Sequence, residues 1–436
     1  MMQLFQMMLA LTLLVMIHEL GHYTAARIFG VRVEKFYLFF NPGFSLFRFK
    51  PKWSETEFGI GWIPLGGYVK LAGMIDESMD VAQMKAPAQP WEFRSKPAWQ
   101  RLIIMFAGVF NNFLLAVVVY AMLLFTQGER YLCLQDVSMG MDYVETAHEY
   151  GFQDGDILLT ADGVLLERYD EVSMRRLLNA REVKVLRGGD TVGIALDENF
   201  AKRLIAEQSG LVSVRIPFVM REIMADSPAQ RAGLLAGDSL VSVNGVPLLT
   251  QSDFVACFKE HASDTLQLGY VRGGTLRTTA LVPDSAGKIG VYCEWYDHFY
   301  PVRTQQFGFF ESFPAGIAAG WRKLTGYADD MKWVFTKEGA SSMGGFGTMA
   351  KMFPSQFDWI YFWNLCAYLS VILAFMNVLP IPGLDGGHIF FLLWETLTGR
   401  KLSDRFMIGA QIVGMTLLIL LLFYANGMDL IRWLVG

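Results

Sequence analysis

Apolar residues gather into four blocks, at positions 4–23, 102–125, 359–379 and 406–425, each long enough to cross roughly 30 Å of hydrocarbon as a helix. Between the second and third blocks, over residues 126–357, the pattern changes to short alternating runs set apart by Gly, Asp and Asn, which predicts strands and turns in a polar insert. The expected architecture is a polytopic α-helical membrane protein with about four transmembrane helices and a small α+β region inserted between them.

The insert repeats itself. Gly151-Phe152-Gln153-Asp154-Gly155-Asp156-Ile157-Leu158, followed by Asp162-Gly163, recurs as Gly233-Leu234-Leu235-Ala236-Gly237-Asp238-Ser239-Leu240, followed by Asn244-Gly245. Arg187-Gly188-Gly189 recurs as Arg272-Gly273-Gly274, slightly out of that register. Two similar domains in tandem are predicted. Each Gly-Asp pair precedes a short alternating strand, such as Leu240-Val241-Ser242-Val243, and then a Gly-containing turn that suits a hairpin. With Ser227-Pro228-Ala229 ahead of Ala232-Gly233-Leu234, the second copy resembles the PDZ domain, and the first does so more weakly. That resemblance implies capture of a peptide ligand by strand addition along a groove. The same domains also suit a role as spacers or obstructions over the membrane part.

Composition agrees with the pattern. Of 436 residues, 53% are hydrophobic and 18% charged, too apolar a balance for an ordinary soluble protein. A net charge of -5 with no long basic run gives no reason to expect nucleic acid as a partner. Eleven Lys or Arg lie between Arg27 and Arg101, and Arg400, Lys401 and Arg405 lie between the last two spans, so both segments are expected on the cytoplasmic side. Both termini and the central insert then fall on the far side. The first span resembles a signal anchor without a positive n-region or a small-x-small cleavage site, and it is expected to be retained. Cys133, Cys257, Cys293 and Cys366 show no C-x-x-C spacing and no disulfide framework, which argues against a thiolate metal site.

The chemistry sits in the first span. His18-Glu19-Leu20-Gly21-His22 follows sixteen residues, 2–17, that carry no charge. Two His at i and i+4 lie about 40° apart around a helix, so both rings can reach one metal. Glu19 points about 60° from His22, beside that metal, where a general base for water belongs. A pair of satisfied polar residues near the headgroups is the plainer reading, but a Glu with two His at bilayer depth is disfavoured by several kcal/mol unless they serve a site. A catalytic zinc takes three protein ligands and keeps one position open. The segment Asn377-Val378-Leu379-Pro380-Ile381-Pro382-Gly383-Leu384-Asp385-Gly386-Gly387-His388 ends the third span, and its two Pro and three Gly break a helix there. A lone Asp in that setting needs a charge or a metal as its partner.

Taken together, the His18 to His22 motif, the Asn377 to Gly387 segment and the two intervening repeats resemble the site-2 protease family of intramembrane zinc metalloproteases, with the closest likeness to its bacterial regulator-of-sigma-E type. The resemblance covers almost the whole chain. It implies that His18, His22 and Asp385 bind Zn2+, that Glu19 acts as base and that Asn377 holds the substrate backbone. The stretch from Glu57 to Lys70 is similar to the family's membrane-reentrant β-hairpin, whose Gly59, Gly61, Gly66 and Gly67 would let an extended substrate approach. Ala107-Gly108-Val109-Phe110-Asn111-Asn112-Phe113 is similar to a family pattern with Pro where Val109 stands; Asn112 then touches substrate or hairpin, or joins helices, and packing is favoured. Ser342-Met343-Gly344-Gly345-Phe346-Gly347 departs from the family, so no contact is carried over, and His388 is read as supporting or structural rather than as a ligand.

The implied activity is cleavage within the spanning helices of single-span membrane proteins, including trimmed anti-sigma factors and remnant signal peptides, inside the lipid bilayer of the bacterial inner membrane. The active site would lie near the cytoplasmic side. A non-proteolytic membrane scaffold or chaperone with a structural metal is the alternative. The complete ligand set with Glu19 disfavours it, since a structural zinc closes its fourth position. The expected divisions are 1–127 for two spans and the hairpin, 128–212 and 213–290 for the repeats, 291–358 for an amphipathic connection and 359–436 for the last two spans.

Overall fold

The structure is a computed structural model that describes residues 1–74, 87–207, 211–334, 336 and 344–435. It divides into two compact units, one built from Met1–Gly128 and Gln306–Gly436, the other from Glu129–Gln305.

The first unit opens with α1 (Met2–Ile28), which carries the uncharged run through the His pair. Met7, Ala10 and Leu14 are buried while Leu4, Phe5 and Leu9 are exposed, as expected where the surrounding solvent is lipid. Four strands follow, β1 (Val33–Phe40), β2 (Phe47–Phe49), β3 (Glu57–Ile60) and β4 (Ile63–Leu71), in the order β2-β3-β1-β4. The expected hairpin is corrected here. β3 and β4 do not pair with each other; β3 runs parallel to β1 and β4 antiparallel to it, on opposite sides. The reason lies in the link between them, where Gly61 N donates to Leu38 O at 2.8 Å and Trp62 N to Phe40 O at 3.1 Å, carrying the chain across the end of β1. A Cβ at Gly61 would overlap the carbonyls of Phe39 and Phe40, so only glycine permits this crossing. Helix α2 (Ala98–Gln127) then packs along α1.

In the second unit the repeat read from the sequence becomes two copies of one topology. The first copy runs β6 (Met141–Tyr143), α3 (Glu145–Glu149), β7 (Ile157–Ala161), β8 (Val164–Leu165), α4 (Glu171–Leu178), β9 (Glu182–Arg187), β10 (Asp190–Ala195), α5 (Phe200–Glu207) and β11 (Val212–Val214). The second runs β12 (Met220–Ile223), α6 (Pro228–Arg231), β13 (Ser239–Val243), β14 (Val246–Pro247), α7 (Gln251–Glu260), β15 (Leu266–Arg272), β16 (Thr275–Leu281) and β17 (Val291–Cys293). Strand orders β10-β9-β7-β8 and β16-β15-β13-β14 correspond strand for strand, and in each copy the last strand pairs with the first. Both copies turn their hairpins on the expected residues, with Asp162 and Asn244 at φ 48° and 51°. Each copy has its own core, around Phe152, Leu158 and Phe200 in one and Phe218, Phe254 and Phe258 in the other. Asp142 of the first forms an ion pair with Arg215 at 3.2 Å and accepts a hydrogen bond from Ser252 of the second. After α8 (Tyr296–Phe299), β18 (Val302–Gln305) pairs with β5 (Glu129–Leu132), so the insert closes on itself where the chain enters and leaves it.

The chain then returns to the first unit as α9 (Phe309–Val334), α10 (Phe346–Lys351), α11 (Trp359–Val378), α12 (Asp385–Thr398) and α13 (Asp404–Val435). The amphipathic connection expected over 291–358 is therefore divided, its first strands belonging to the insert and α9 to the membrane unit. Gly316 lets α9 lie directly on the backbone of α2 at Val117 and Ala121, and its outer face carries Phe310, Ile317 and Trp321. Ser342 and Met343 lie outside the described residues; Gly345 N donates to Asp429 of α13 at 3.0 Å and Phe346 N to Asn426 at 3.2 Å, so this stretch caps α10 from α13. The break after the third span is short, and α12, unforeseen in the sequence, follows it at once. Among the described residues, α1, α2, α11 and α13 are the helices long and apolar enough to cross a membrane.

Candidate metal centre and active site

Three donor atoms from two distant parts of the sequence meet inside the first unit. His18 Nε2 lies 3.0 Å from Asp385 Oδ2, His22 Nε2 lies 3.2 Å from the same oxygen, and the two Nε2 atoms are 3.2 Å apart. A tetrahedral zinc with bonds near 2.0–2.1 Å has edges of about 3.3 Å, so this triangle is one face of the polyhedron that zinc prefers. Nitrogen, nitrogen and carboxylate oxygen form a set found in catalytic zinc sites, with one further position to fill.

Local structure explains how the donors converge. The helical spacing of His18 and His22 puts both rings on the face of α1 that meets α2 and α12. Asp385 opens α12 directly after the break. A Cβ at Gly386 would overlap Leu379 O, and one at Gly387 would press on Pro382, so this glycine pair lets the first turn of α12 fold back onto the end of α11. Arg101 of α2 and Glu395 of α12 form a largely buried ion pair at 2.5 Å that ties the two helices together further along.

The far nitrogens of both rings are also held. His22 Nδ1 sits 2.9 Å from the Ile104 carbonyl, an acceptor, so Nδ1 carries the proton and Nε2 keeps its lone pair for the centre. His18 Nδ1 sits 3.1 Å from the carboxamide of Asn112. Asn112 is fully buried, with its carboxamide against the His18 ring. Ile104 and Gly108 were not singled out from the sequence. A backbone carbonyl leaves no residue signature, although Gly108 stands within the quoted α2 motif.

Glu19 follows His18 directly on α1 and lies beside this triangle. Gly67 of β4 comes so close to α1 that a Cβ there would stand 3.0 Å from Val15 and 3.7 Å from Glu19. β4 is an edge strand of its sheet. Gly59 and Gly61 instead make room for Tyr37 and for the end of β1, and Gly66 faces the Phe40 ring. Asn377, on the last turn of α11, places its amide nitrogen 3.5 Å from His18 Nε2. His388 occupies the turn of α12 that Asp385 begins.

This constellation is that of a metallohydrolase set among apolar helices. Residues 6–421 match peptidase family M50, and the chain belongs to that family; it is a zinc metalloprotease and a multi-pass membrane protein. It is 30% identical over 97% of both chains to the regulator of sigma-E protease RseP of Salmonella typhimurium strain 14028s, and 28% identical over 97% of both to the protease RseP of Yersinia pestis. A Vibrio cholerae protein, 27% identical over 91% of each chain, carries zinc metalloprotease in its name.

Proposed function

We propose that this protease cuts the spanning helices of single-span membrane proteins, with His18, His22 and Asp385 as the zinc ligands and Glu19 as general base. The observation that carries the reading is the donor triangle, 3.0 to 3.2 Å on a side, placed on apolar helices with Glu19 alongside. Zinc held by His18, His22 and Asp385 would supply Lewis-acid polarisation of a scissile carbonyl and activation of water. Glu19, beside that position, would accept a proton from the attacking water and pass it to the leaving amine. A helical substrate keeps its backbone bonded to itself, so the enzyme must replace those bonds as it unwinds the segment. The free edge of β4, close beside Glu19 through Gly67, and the amide of Asn377 offer the replacement groups.

Orientation follows from the basic segments: α1 and α11 both run toward the cytoplasmic side and end near the donors, which puts the active site near that face of the bacterial inner membrane. The insert, whose copies resemble PDZ domains, then lies outside and obstructs bulky untrimmed ectodomains or captures peptide. Substrates of this kind include trimmed anti-sigma factors and remnant signal peptides; the Salmonella relative is named as a regulator of sigma-E. Purified protein is expected to carry about one zinc per chain. Stoichiometric zinc in a His18→Ala/His22→Ala protein would contradict the ligand assignment.

A further inference from the structure

We infer that Asn112 positions His18 by accepting a hydrogen bond at its side-chain oxygen, fixing the imidazole with its proton on Nδ1 and its lone pair on Nε2. The inference rests on the reading of His18 as a zinc ligand. A ligand that binds through Nε2 has its proton on Nδ1, and that N–H can only donate. The Asn112 carboxamide is the group 3.1 Å from Nδ1, and it presents its nitrogen there, donor facing donor. In that orientation Asn112 Oδ1 is buried with no hydrogen-bond partner, a cost of roughly 1–3 kcal/mol. The two ends of a carboxamide have the same shape, and a half-turn of the side chain exchanges them. That half-turn replaces the donor–donor contact with an acceptor for His18 Nδ1–H and gives Oδ1 a partner, while the amide nitrogen takes the place Oδ1 leaves.

The surroundings keep Asn112 where it can do this. Its residue is fully buried, its backbone carbonyl accepts from Ser370 Oγ of α11 at 2.8 Å, and the neighbouring Asn111 donates to Ile17 O of α1 at 3.3 Å. Three helices therefore meet at this point of α2. His22 is held in the same sense by the Ile104 carbonyl, which can only accept. One turn of α2 holds the first ring and the next-but-one turn the second, so α2 contributes no ligand yet sets the tautomer of both.

The test measures zinc affinity by competition with a chelator for the full-length protein and for Asn112→Asp, Asn112→Leu and His18→Ala. Asp accepts but cannot donate, and it has the shape of Asn. Asn112→Asp is expected to bind zinc within about threefold of the natural protein, whereas Asn112→Leu is expected to bind it about 10–100-fold more weakly. Loss of zinc in Asn112→Asp would overturn the inference, and so would unchanged affinity in Asn112→Leu. Should the Leu variant fail to fold, Asn112→Ala, which also removes the acceptor, takes its place with the same two outcomes. Tight zinc binding in His18→Ala would instead remove the ligand assignment, and this inference with it.

Discussion

Gly108 of α2 stands directly against His22: a Cβ built there would overlap His22 Nε2 and lie 2.8 Å from Cε1 of both His22 and His18. The helices cannot part easily to admit it, because α1 and α2 already touch at Gly21, where a Cβ would overlap the Ala107 carbonyl. Gly108→Ala is therefore expected to displace the rings and weaken zinc binding by about tenfold or more while the fold survives. Chelator competition checks this. Zinc binding equal to that of the natural protein would mean that the rings move aside freely.

Asn377 tests how substrate is held. Its amide lies at the centre and can both donate and accept. Asn377→Leu should keep zinc but lower cleavage, and the loss should shrink for substrates whose spanning helix contains Gly or Pro and unwinds more readily. Equal impairment on every substrate, together with a lowered unfolding temperature, would make Asn377 a packing residue.

Orientation is open to direct labelling. In a protein freed of its own cysteines, Glu198→Cys is expected to react with a membrane-impermeant thiol reagent from outside the cytoplasmic membrane, and Lys401→Cys to be shielded. The reverse pattern would place the insert in the cytoplasm and leave its filtering role without a basis.

The twin ion pairs of the insert give a prediction about pH. Arg272 donates to Asp238 at 2.7 and 2.6 Å, Leu235 N donates to the same carboxylate at 2.8 Å, and Arg187 makes the same paired contact with Asp156 in the first copy at 2.7 and 2.6 Å. Burial opposes the charge on Asp238, yet Arg272 and the Leu235 N–H together hold its carboxyl below the usual carboxylate range. A carboxyl lowered on folding stabilises the fold above its ordinary pKa of about 3.9, and that contribution is lost as pH falls through the folded value. Asp238→Asn is expected to cost roughly 2 kcal/mol at neutral pH. Its deficit should narrow in more acid solution. Unfolding curves with the same deficit at both ends of that range would rule out the electrostatic account.

Much of this was legible in the sequence because it rests on local spacing. The i, i+4 interval of His18 and His22, the length of the apolar blocks and the repeated Gly-Asp and Asn-Gly punctuation each dictate structure over a few residues. Features that depend on distant backbone were not legible. The crossing of β1 by Gly61, the docking of α9 on α2 through Gly316, and the Ile104 carbonyl behind His22 arise only once the chain is folded. Asn112 shows the boundary most clearly: its motif was visible, but its neighbour lies on another helix, and only the fold brings it to His18.

The most direct measurement is cleavage of a pre-trimmed single-span substrate in liposomes by Glu19→Gln protein loaded with zinc. The variant keeps all three ligands and removes the base, so about one zinc per chain should remain while cleavage falls by roughly 10²–10⁴-fold. Cleavage at the natural rate by the zinc-loaded variant would contradict the assignment of Glu19 and the mechanism built on it.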